Sequence, residues 1–419
     1  MSVKLRFVHA ADLHLDSPFH CLQGSGGEIG SLLREATFTT FERILNLCRR
    51  RQADFLLIAG DVFDSADRGL RAQLRFRDGL GGLATDGIQS FVVHGNHDPL
   101  DGWAATLDWP KGIHVFRDPN LPKAVAIKKN GLELARVYGR SFPRRDVRSN
   151  LALDFRRSGE GFAIGLLHCN VGENTGHEPY APCSLQDLAA AGFDYWALGH
   201  VHTRAVLSTR APTVVYPGNP QGRNLLEAGP RGCYVVEVDQ DHQVHVEFVA
   251  VDAVRWETVQ IGIAQMASEQ ELLDALFATI RDLRARSGRP VIARLRLEGR
   301  GPLHATLQRN QVLDDLLAET RSAGNADQPL VWLERIEDRT QPPVDLTLRR
   351  QAGDFLGELL RLAEAHRSEP ERREQLTRVL TRLYGAPRAE KLLRFPAEGE
   401  LLELLDQATS HCVDLLEAD

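Results

Sequence analysis

Five short blocks of acidic, amide and imidazole side chains are the candidates for chemistry, and each directly follows an apolar run of strand type. Alternate residues of an extended segment project to the same side, so D-x-H and H-x-H can each direct two ligands toward one point. Ligands of these types without thiolate favour cations such as Mn²⁺, Fe²⁺ or Zn²⁺. The blocks are D-x-H at 12–14, G-D-x-x-D at 60–64, G-N-H-D at 95–98, a histidine at 168 and G-H-x-H at 199–202.

The chemistry expected from these blocks is phosphoester hydrolysis with two divalent ions. Two ions held about 4 Å apart bind both an attacking hydroxide and phosphate oxygens, and they lower the pKa of a bridging water. Mn²⁺ is the first choice, with Fe²⁺, Zn²⁺ and Mg²⁺ as alternatives. Chance convergence of buried acids and imidazoles without metal would be costly. Asp16 and Asp98 adjoin the blocks but are interpreted as caps of turns or helix starts and are left out of the ligand set.

The elements that must position these blocks alternate between strands and helices, which is typical of a layered α/β domain. A helix is predicted over Leu32–Arg51 from its apolar spacing of three and four residues. Ligand sites in α/β folds form from loops at the carboxyl ends of strands, where the blocks lie. Strands are predicted at Leu5–His9, Phe55–Ala59, Ser90–His94, Ala163–His168 and Tyr195–Gly199.

Three domains are predicted from shifts in this pattern. Residues 1–252 form the α/β domain, and residues 253–342 form a small capping domain of order β-α-β-α-β. In the latter a single helix is predicted over Ala305–Ser322. Residues 343–419 contain Leu-rich amphipathic stretches with many Arg and Glu residues, which predict helices that bury one face against another surface.

Composition narrows the class of protein. The 419 residues are 43% hydrophobic and 26% charged, which excludes a disordered chain. Six cysteines without a C-x-x-C pair argue against a zinc ribbon and a secreted disulfide framework. No signal peptide or membrane span is recognised, so a cytoplasmic protein without a membrane anchor is expected. The net charge of -7 does not favour nucleic acid, so any DNA contact must be local.

The ordered blocks resemble the calcineurin-like metallophosphoesterase superfamily across the first half of the chain. The resemblance implies an α/β fold, a four-layer α/β/β/α sandwich, here with a small α+β capping domain and C-terminal helices. It implies that His97 is a catalytic non-ligand that protonates the leaving oxygen, with Asp64 as its orienting carboxylate. The implied ligands are Asp12, His14, Asp61 and His202 for one metal, and Asp61, Asn96, His168 and His200 for the second, with Asp61 bridging.

Two longer segments resemble the SbcD type of DNA repair nuclease and its YhaO-like exonuclease relatives. They are F-V-H-A-A-D-L-H-L-D at 7–16 and Y-P-G-N-P-Q-G-R-N at 216–224, in which Asn219 replaces the usual serine. Some nucleases of this group have a histidine where this chain has Asp64. Arginines of a basic stretch at 139–148, together with one in the second segment, are candidate contacts to a DNA backbone. These are Arg140, Arg144, Arg145 and Arg223.

The function implied by this resemblance is a metal-dependent DNA nuclease of repair, an exonuclease with or without endonuclease activity. The implied partners are DNA, an SbcC-like coiled-coil ATPase and a second copy of the chain. Two alternatives stay open. One is a phosphodiesterase or phosphatase of the same superfamily acting on nucleotides or phosphoproteins. The other is a catalytically silent scaffold protein of a repair complex.

Overall fold

The computed structural model describes residues 3–19, 27–66, 68–118, 122–129, 132–172, 178–384 and 395–416. By compactness the chain divides into two units. Unit 1 comprises Met1–Val259, Phe277–Arg294 and Ala318–Arg335, and unit 2 comprises Gln260–Leu276, Leu295–Leu317 and Ile336–Asp419. The domain boundaries at 252 and 342 stay predictions.

The elements of the chain follow one another as strands and helices through residue 250 and then in a second pattern toward the carboxyl end. In chain order they are β1 (Val3–Ala10), α1 (Gly27–Arg50), β2 (Phe55–Ala59), α2 (Leu70–Thr85), β3 (Gln89–Val93), β4 (Ile113–Val115), β5 (Lys123–Lys129), β6 (Leu132–Arg140), β7 (Phe162–His168), α3 (Leu185–Ala190), β8 (Tyr195–Gly199), β9 (Ala205–Ser208), β10 (Thr213–Tyr216), β11 (Gly232–Asp239), β12 (Val244–Ala250), β13 (Arg255–Gly262), α4 (Glu269–Ser287), β14 (Val291–Arg300), α5 (His304–Leu307), α6 (Val312–Ala326), β15 (Val331–Gln341), α7 (Leu346–Arg350), α8 (Phe355–Ser368), α9 (Pro370–Tyr384) and α10 (Glu398–Leu416).

Two six-stranded sheets form the centre of unit 1. The first has the order β12-β11-β1-β2-β3-β4, and the second has the order β5-β6-β7-β8-β10-β9. Strands β1, β2 and β3 pair in parallel, and so do β6, β7 and β8. The carboxyl ends of parallel strands lie at the same edge of a sheet, so the loops that follow β1, β2 and β3 emerge together, as do those that follow β7 and β8.

Alternating apolar residues bury both faces of each sheet. On β1, Phe7 packs between the two sheets, whereas Val8 packs outward against α1 and α2. On β8, Tyr195 packs between the sheets and Trp196 packs outward in a cluster with Leu188 of α3. Helices therefore cover the outer face of each sheet, and the predicted α/β sandwich of four layers is confirmed.

The segment from 255 to 341 contains a three-stranded sheet of order β13-β14-β15 with helices α4, α5 and α6. The single helix predicted over Ala305–Ser322 is wrong, because the structure has two helices there, α5 and α6. Between them Gln311 has a φ of 72°, a left-handed conformation that an α-helix cannot contain. The predicted order of elements is otherwise observed.

Four helices, α7 to α10, follow in unit 2. Leu356 and Leu360 of α8 and Val413 of α10 form a small buried cluster. Other apolar side chains of these helices are exposed, including Phe355 at 70% and Leu348 at 67%. Among the residues that the structure describes, no helix is both long and apolar enough to cross a membrane.

Candidate metal centre

The predicted ligands converge at one edge of the sandwich, on loops from both sheets. Main-chain hydrogen bonds join the loops after β1 and β2: Asp12 N donates to Gly60 O at 3.0 Å and His14 N to Asp61 O at 3.0 Å. The second sheet is joined to them by His200 N, which donates to the Asp12 carboxylate at 3.0 Å. The side chains so assembled are Asp12, His14, Asp61, Asn96, His168, His200 and His202.

One set of donors, called here the first donor group, consists of Asp12, His14 and His202. One ligand atom from each lies within 4.8 Å of the others. The Nε2 atoms of His14 and His202 are 3.2 Å apart. His202 Nδ1 donates a hydrogen bond to Glu227 Oε1 at 2.7 Å, which leaves the lone pair of its Nε2 directed at His14.

The second donor group consists of Asp61, Asn96, His168 and His200. His168 Nδ1 donates to Ala59 O at 2.9 Å, and His200 Nε2 donates to Glu178 O at 2.8 Å. Their remaining nitrogens, His168 Nε2 and His200 Nδ1, lie 3.0 Å and 3.2 Å from the Asn96 carboxamide oxygen. With the far nitrogens protonated, these atoms are acceptors that face one another without a proton between them.

The two groups are adjacent and are linked through buried acids. His168 Nε2 lies 3.5 Å from Asp61 Oδ2, and His168 Nδ1 lies 3.8 Å from Asp12 Oδ1. Asp12, Asp61 and His168 also have ligand atoms within 4.8 Å of one another. Asp12 therefore adjoins both donor groups, which the sequence did not indicate.

The electrostatics of the site fit divalent cations. Burial raises the pKa of Asp61 to about 7, and burial together with the Asp61 carboxylate raises the pKa of Asp12 well above its usual range. Burial also lowers the pKa of His168 to about 4, so its imidazole is neutral near pH 7. Buried acids that repel each other beside neutral imidazoles are costly alone and are stabilised by cations.

The main chain at several of these residues adopts an unusual conformation. Asp12 has φ 53°, His14 φ 43°, Asp61 φ 46° and His200 φ 102°. Positive φ is uncommon for residues other than glycine and costs on the order of 1–3 kcal/mol each, and such strain is concentrated at functional sites. The surrounding sandwich therefore holds these donors in positions that the isolated loops would not favour.

The glycines of two motifs are required by the close approach of donors. A Cβ atom at Gly95 would lie 2.3 Å from Asp61 Oδ1 and 2.7 Å from His168 Nε2. At Gly60, where φ is +92°, it would lie 2.3 Å from His168 Nδ1. A larger residue at either position would displace a proposed ligand.

His97 lies beside the donors. Its main-chain N donates to Asp61 Oδ1 at 2.9 Å, and its Nδ1 donates to the main-chain O of Asp64 at 3.0 Å. The Asp64 carboxylate is farther from this ring, with Oδ1 3.9 Å from His97 Nδ1. That same oxygen lies 2.9 Å from His14 Nδ1 and accepts from Arg223 at 2.6 Å. Although burial opposes it, the hydrogen bond from His14 and the charge of Arg223 hold the pKa of Asp64 below its usual range.

The main chain of Asp64, rather than its carboxylate, is thus the hydrogen-bond partner of His97. The carboxylate instead lies nearer to a proposed ligand, His14, than to His97. The catalytic roles of His97 and Asp64 stay predictions.

Glu227 is a residue of the site that the sequence did not indicate. It ends a single 3-10 turn, Leu225–Glu227, and is 7% exposed. Its Oε1 accepts from His202, and its Oε2 accepts from the main-chain N of Arg223 at 2.8 Å. Although burial opposes it, the hydrogen bond from His202 and the charges of His202 and Arg223 lower the pKa of Glu227 to about 2. A lone glutamate 25 residues after His202 has no spacing that marks it in a sequence.

The segment at 216–224 braces the loops that carry two histidines. Tyr216 donates its hydroxyl proton to Cys169 O at 2.7 Å, next to His168. Asn219 Oδ1 accepts from Arg231 Nη1 at 2.8 Å, and the same nitrogen donates to His202 O at 2.5 Å. The asparagine in place of the usual serine therefore takes part in positioning the H-x-H loop.

The four candidate DNA contacts differ in exposure. Arg140 is buried and forms an ion pair with Asp154. Arg223 lies within the site, bonded to Asp64. Arg144 and Arg145 are exposed. Their loop is joined to the one after β3, because Leu100 N donates to Phe142 O at 2.9 Å and Asp101 N to Pro143 O at 3.2 Å, so they lie beside the G-N-H-D segment.

Comparison with known proteins identifies the class. Residues 5–204 match the family described as calcineurin-like phosphoesterase, and residues 256–341 match the family described as the middle domain of metallophosphoesterase YhaO. The protein named uncharacterized metallophosphoesterase YhaO, from Bacillus subtilis, is 36% identical over 348 residues, which cover 83% of this chain and 85% of that protein. The chain belongs to the calcineurin-like metallophosphoesterases, and its relatives there include YhaO.

Two other relatives carry names of nucleases or repair proteins. DNA double-strand break repair protein Mre11 of Methanopyrus kandleri is 26% identical over 305 residues, covering 64% of this chain and 60% of that protein. A component of the nuclease SbcCD of Bacillus subtilis is 26% identical over 259 residues, covering 54% of this chain and 64% of that protein. In both cases the match spans less than two thirds of the relative. Family membership supports phosphoester hydrolysis with two divalent metal ions.

Proposed function

We propose that this chain is a metal-dependent DNA nuclease that hydrolyses phosphodiester bonds in DNA repair, as an exonuclease with or without endonuclease activity. The observation that carries the proposal is the orientation of three histidines. His168, His200 and His202 each bond one nitrogen to a fixed oxygen acceptor and direct the other toward further metal donors. Similarity to proteins named as a nuclease component and a DNA break repair protein supports DNA as the substrate.

Each donor group would hold one ion. Asp12, His14 and His202 would bind the first, while Asn96, His168 and His200 would bind the second, with Asp61 bridging. When bound, the two ions supply an activated water and polarise the phosphate oxygens, and Mn²⁺ is the expected species. The buried carboxylates and neutral imidazoles hold the phosphate at this edge of the sandwich.

The protein itself supplies a proton through His97. Its Nδ1 is held by the Asp64 carbonyl, so Nε2 is the nitrogen that can face a substrate. The side chain is 34% exposed, which leaves it accessible from solvent. In its protonated form the imidazolium donates from Nε2 to the leaving oxygen. General acid catalysis of this kind contributes roughly 10²–10⁴-fold.

Exposed arginines beside the site support contact with a DNA backbone. Arg144 and Arg145 lie next to the loop that carries Asn96 and His97, and neither is buried. Such contacts hold phosphates without reading bases, and each weakens with salt. Arg140 is a poorer candidate, because its charge is already paired with Asp154.

The proposal is tested with metal-stripped protein and end-labelled single- and double-stranded DNA, to which Mn²⁺, Mg²⁺ or Zn²⁺ is added separately. Metal-dependent laddering that an Asp61→Ala variant lacks is expected, and its pattern gives the polarity. Intact DNA together with hydrolysis of bis(p-nitrophenyl) phosphate would contradict the nuclease and favour a phosphatase or another phosphodiesterase. Loss of both activities in metal-loaded protein would favour a silent scaffold.

The proposed partners are a second copy of the chain and an SbcC-like coiled-coil ATPase. Exposed apolar side chains on the C-terminal helices support a docking role, among them Phe355 at 70%, Val379 at 65% and Leu415 at 65%. Co-expression with an ATPase of this type and removal of residues 343–419 test that contact. Light scattering tests the dimer, and a strict monomer at 46.6 kDa and micromolar concentration would contradict it.

A further inference from the structure

A cavity of about 290 Å³ lies next to the metal centre, within unit 1. It is formed by the loops after β8 and β10, the segment before β11 and one residue of β12. This volume is close to the lower end of the range for sites of small organic ligands, which is roughly 300–1,000 Å³. Its main lining residues are His202, Arg204, Pro217, Pro230, Arg231 and Phe248.

The lining combines flat apolar surfaces with a stacked cation. The guanidinium carbon of Arg204 lies 4.1 Å from the centroid of the Phe248 ring, and Arg204 Nη1 donates to Pro230 O at 2.8 Å. One face of the guanidinium is thus covered by Phe248, and its plane is fixed by a hydrogen bond. Aromatic rings and arginine planes are the side-chain surfaces on which nucleobases stack.

The charge of the cavity favours an anionic ligand. Arg204 and Arg231 both line it, and among the described residues that line it none is acidic. Arg231 is held in place through bonds to Glu227 O at 3.0 Å and to Asn219 Oδ1 at 2.8 Å. A flat ring system attached to a phosphate combines the two properties that this lining would bind.

The cavity and the metal centre share a residue. His202 lines the cavity, and its Nε2 lies 3.2 Å from His14 Nε2 in the first donor group. Arg231, on the cavity wall, donates to the main-chain O of His202. A ligand in the cavity is therefore adjacent to a phosphate held at the donor groups.

We propose that this cavity is a nucleobase subsite, which takes the base of the nucleotide next to the scissile phosphate by stacking on the Arg204–Phe248 pair. The subsite rests on the proposed function for the position of the phosphate. It adds a preference for nucleotides with an intact base over abasic sugar phosphates.

The test compares two probes with the same phosphate, deoxyadenosine 5′-monophosphate and deoxyribose 5-phosphate. Affinities of the full chain, metal-free and Mn²⁺-loaded, are measured by calorimetry. Wild type is expected to bind the first about 5- to 100-fold more tightly, the range of one stacked base. Arg204→Lys keeps the charge without the plane, and Phe248→Leu keeps apolar volume without the ring. Both variants should bring this ratio close to one.

Arg210→Lys is the matched control, because Arg210 is exposed in the turn between β9 and β10, at the opposite end of β10 from Pro217, and should keep the wild-type ratio. A wild-type ratio of one, or a ratio that survives both Arg204→Lys and Phe248→Leu, would overturn the subsite. Cleavage of DNA is assayed on the same samples. A base preference without DNA cleavage would support the subsite and reject the nuclease, whereas DNA cleavage without a base preference would do the reverse.

Discussion

Replacement of Glu227 should weaken one metal ion and spare the other. Glu227 is not itself a proposed ligand, but it accepts the proton of His202 Nδ1 at 2.7 Å, and its pKa of about 2 keeps it charged at neutral pH. In Glu227→Gln the side chain keeps its size, but one of its two oxygen acceptors becomes an amide donor. Either His202 or the main-chain N of Arg223 then loses its acceptor, and the negative charge behind His202 is removed.

The size of the effect follows from similar carboxylate–histidine pairs. Loss of such a partner typically costs 10- to 100-fold in metal affinity, or about 1.4–2.7 kcal/mol. Because Glu227 is only 7% exposed, solvent screening should reduce this little. We expect about 10-fold for Glu227→Gln and nearer 100-fold for Glu227→Ala. Calorimetric titration of metal-free protein with Mn²⁺ should resolve two sites, of which only the ion held by the first donor group changes.

Equal Mn²⁺ affinities in wild type and Glu227→Ala would refute this reasoning, and so would an equal loss at both sites. Glu237→Gln is the control, since Glu237 pairs with Arg6 at 2.7 Å on β1 and β11 and is 34% exposed. It removes the same charge and should leave both affinities unchanged. Thermal melts of the metal-free variants identify any loss that comes from unfolding.

Three further predictions concern the same loops. His97→Asn should keep both Mn²⁺ affinities but lower kcat by roughly 10²–10⁴-fold, and an unchanged kcat would exclude the proton-donor role. In metal-free protein, Asp61→Asn should raise the free energy of unfolding. The pKa of Asp61 is about 7 in the fold against an ordinary 3.8, so wild type loses stability as pH rises through this range and the variant does not. The difference should therefore grow to a few kcal/mol by pH 7 and then level off, and denaturant melts that gave a constant difference would contradict it. Gly95→Ala, whose Cβ would meet Asp61 Oδ1 at 2.3 Å, should weaken Mn²⁺ binding, whereas Gly262→Ala, with open space around it, should not.

Much of the sandwich follows from the pattern of the sequence, because its central strands are buried on both faces. Phe55–Ala59 is apolar throughout and all of its residues are buried, so the strand and its end are recognisable without a structure. The polar residues that follow such a strand have only one place to lie, the loop at its carboxyl end. For this reason the sequence alone places Asp61 and Asn96 correctly at the same edge of the sandwich.

Other features depend on contacts that local sequence does not encode. Glu227 acts through a residue 25 positions away, and Arg223, predicted as a DNA contact, bonds instead to Asp64, 159 positions away. The break before α6 depends on a left-handed residue, Gln311, where an uninterrupted apolar spacing suggested one helix. The ligand roles themselves stay predictions until metal binding is measured.

The division of the proposed ligands between the two sheets gives the metal ions a second role. Asp12, His14, Asp61 and Asn96 belong to loops of the first sheet, whereas His168, His200 and His202 belong to the second. Ions bound by both sets act as rivets through the open edge of the sandwich. Metal loading would then resist any separation of the layers at this edge, so the enzyme would be hardest to pull apart at the place where it cuts.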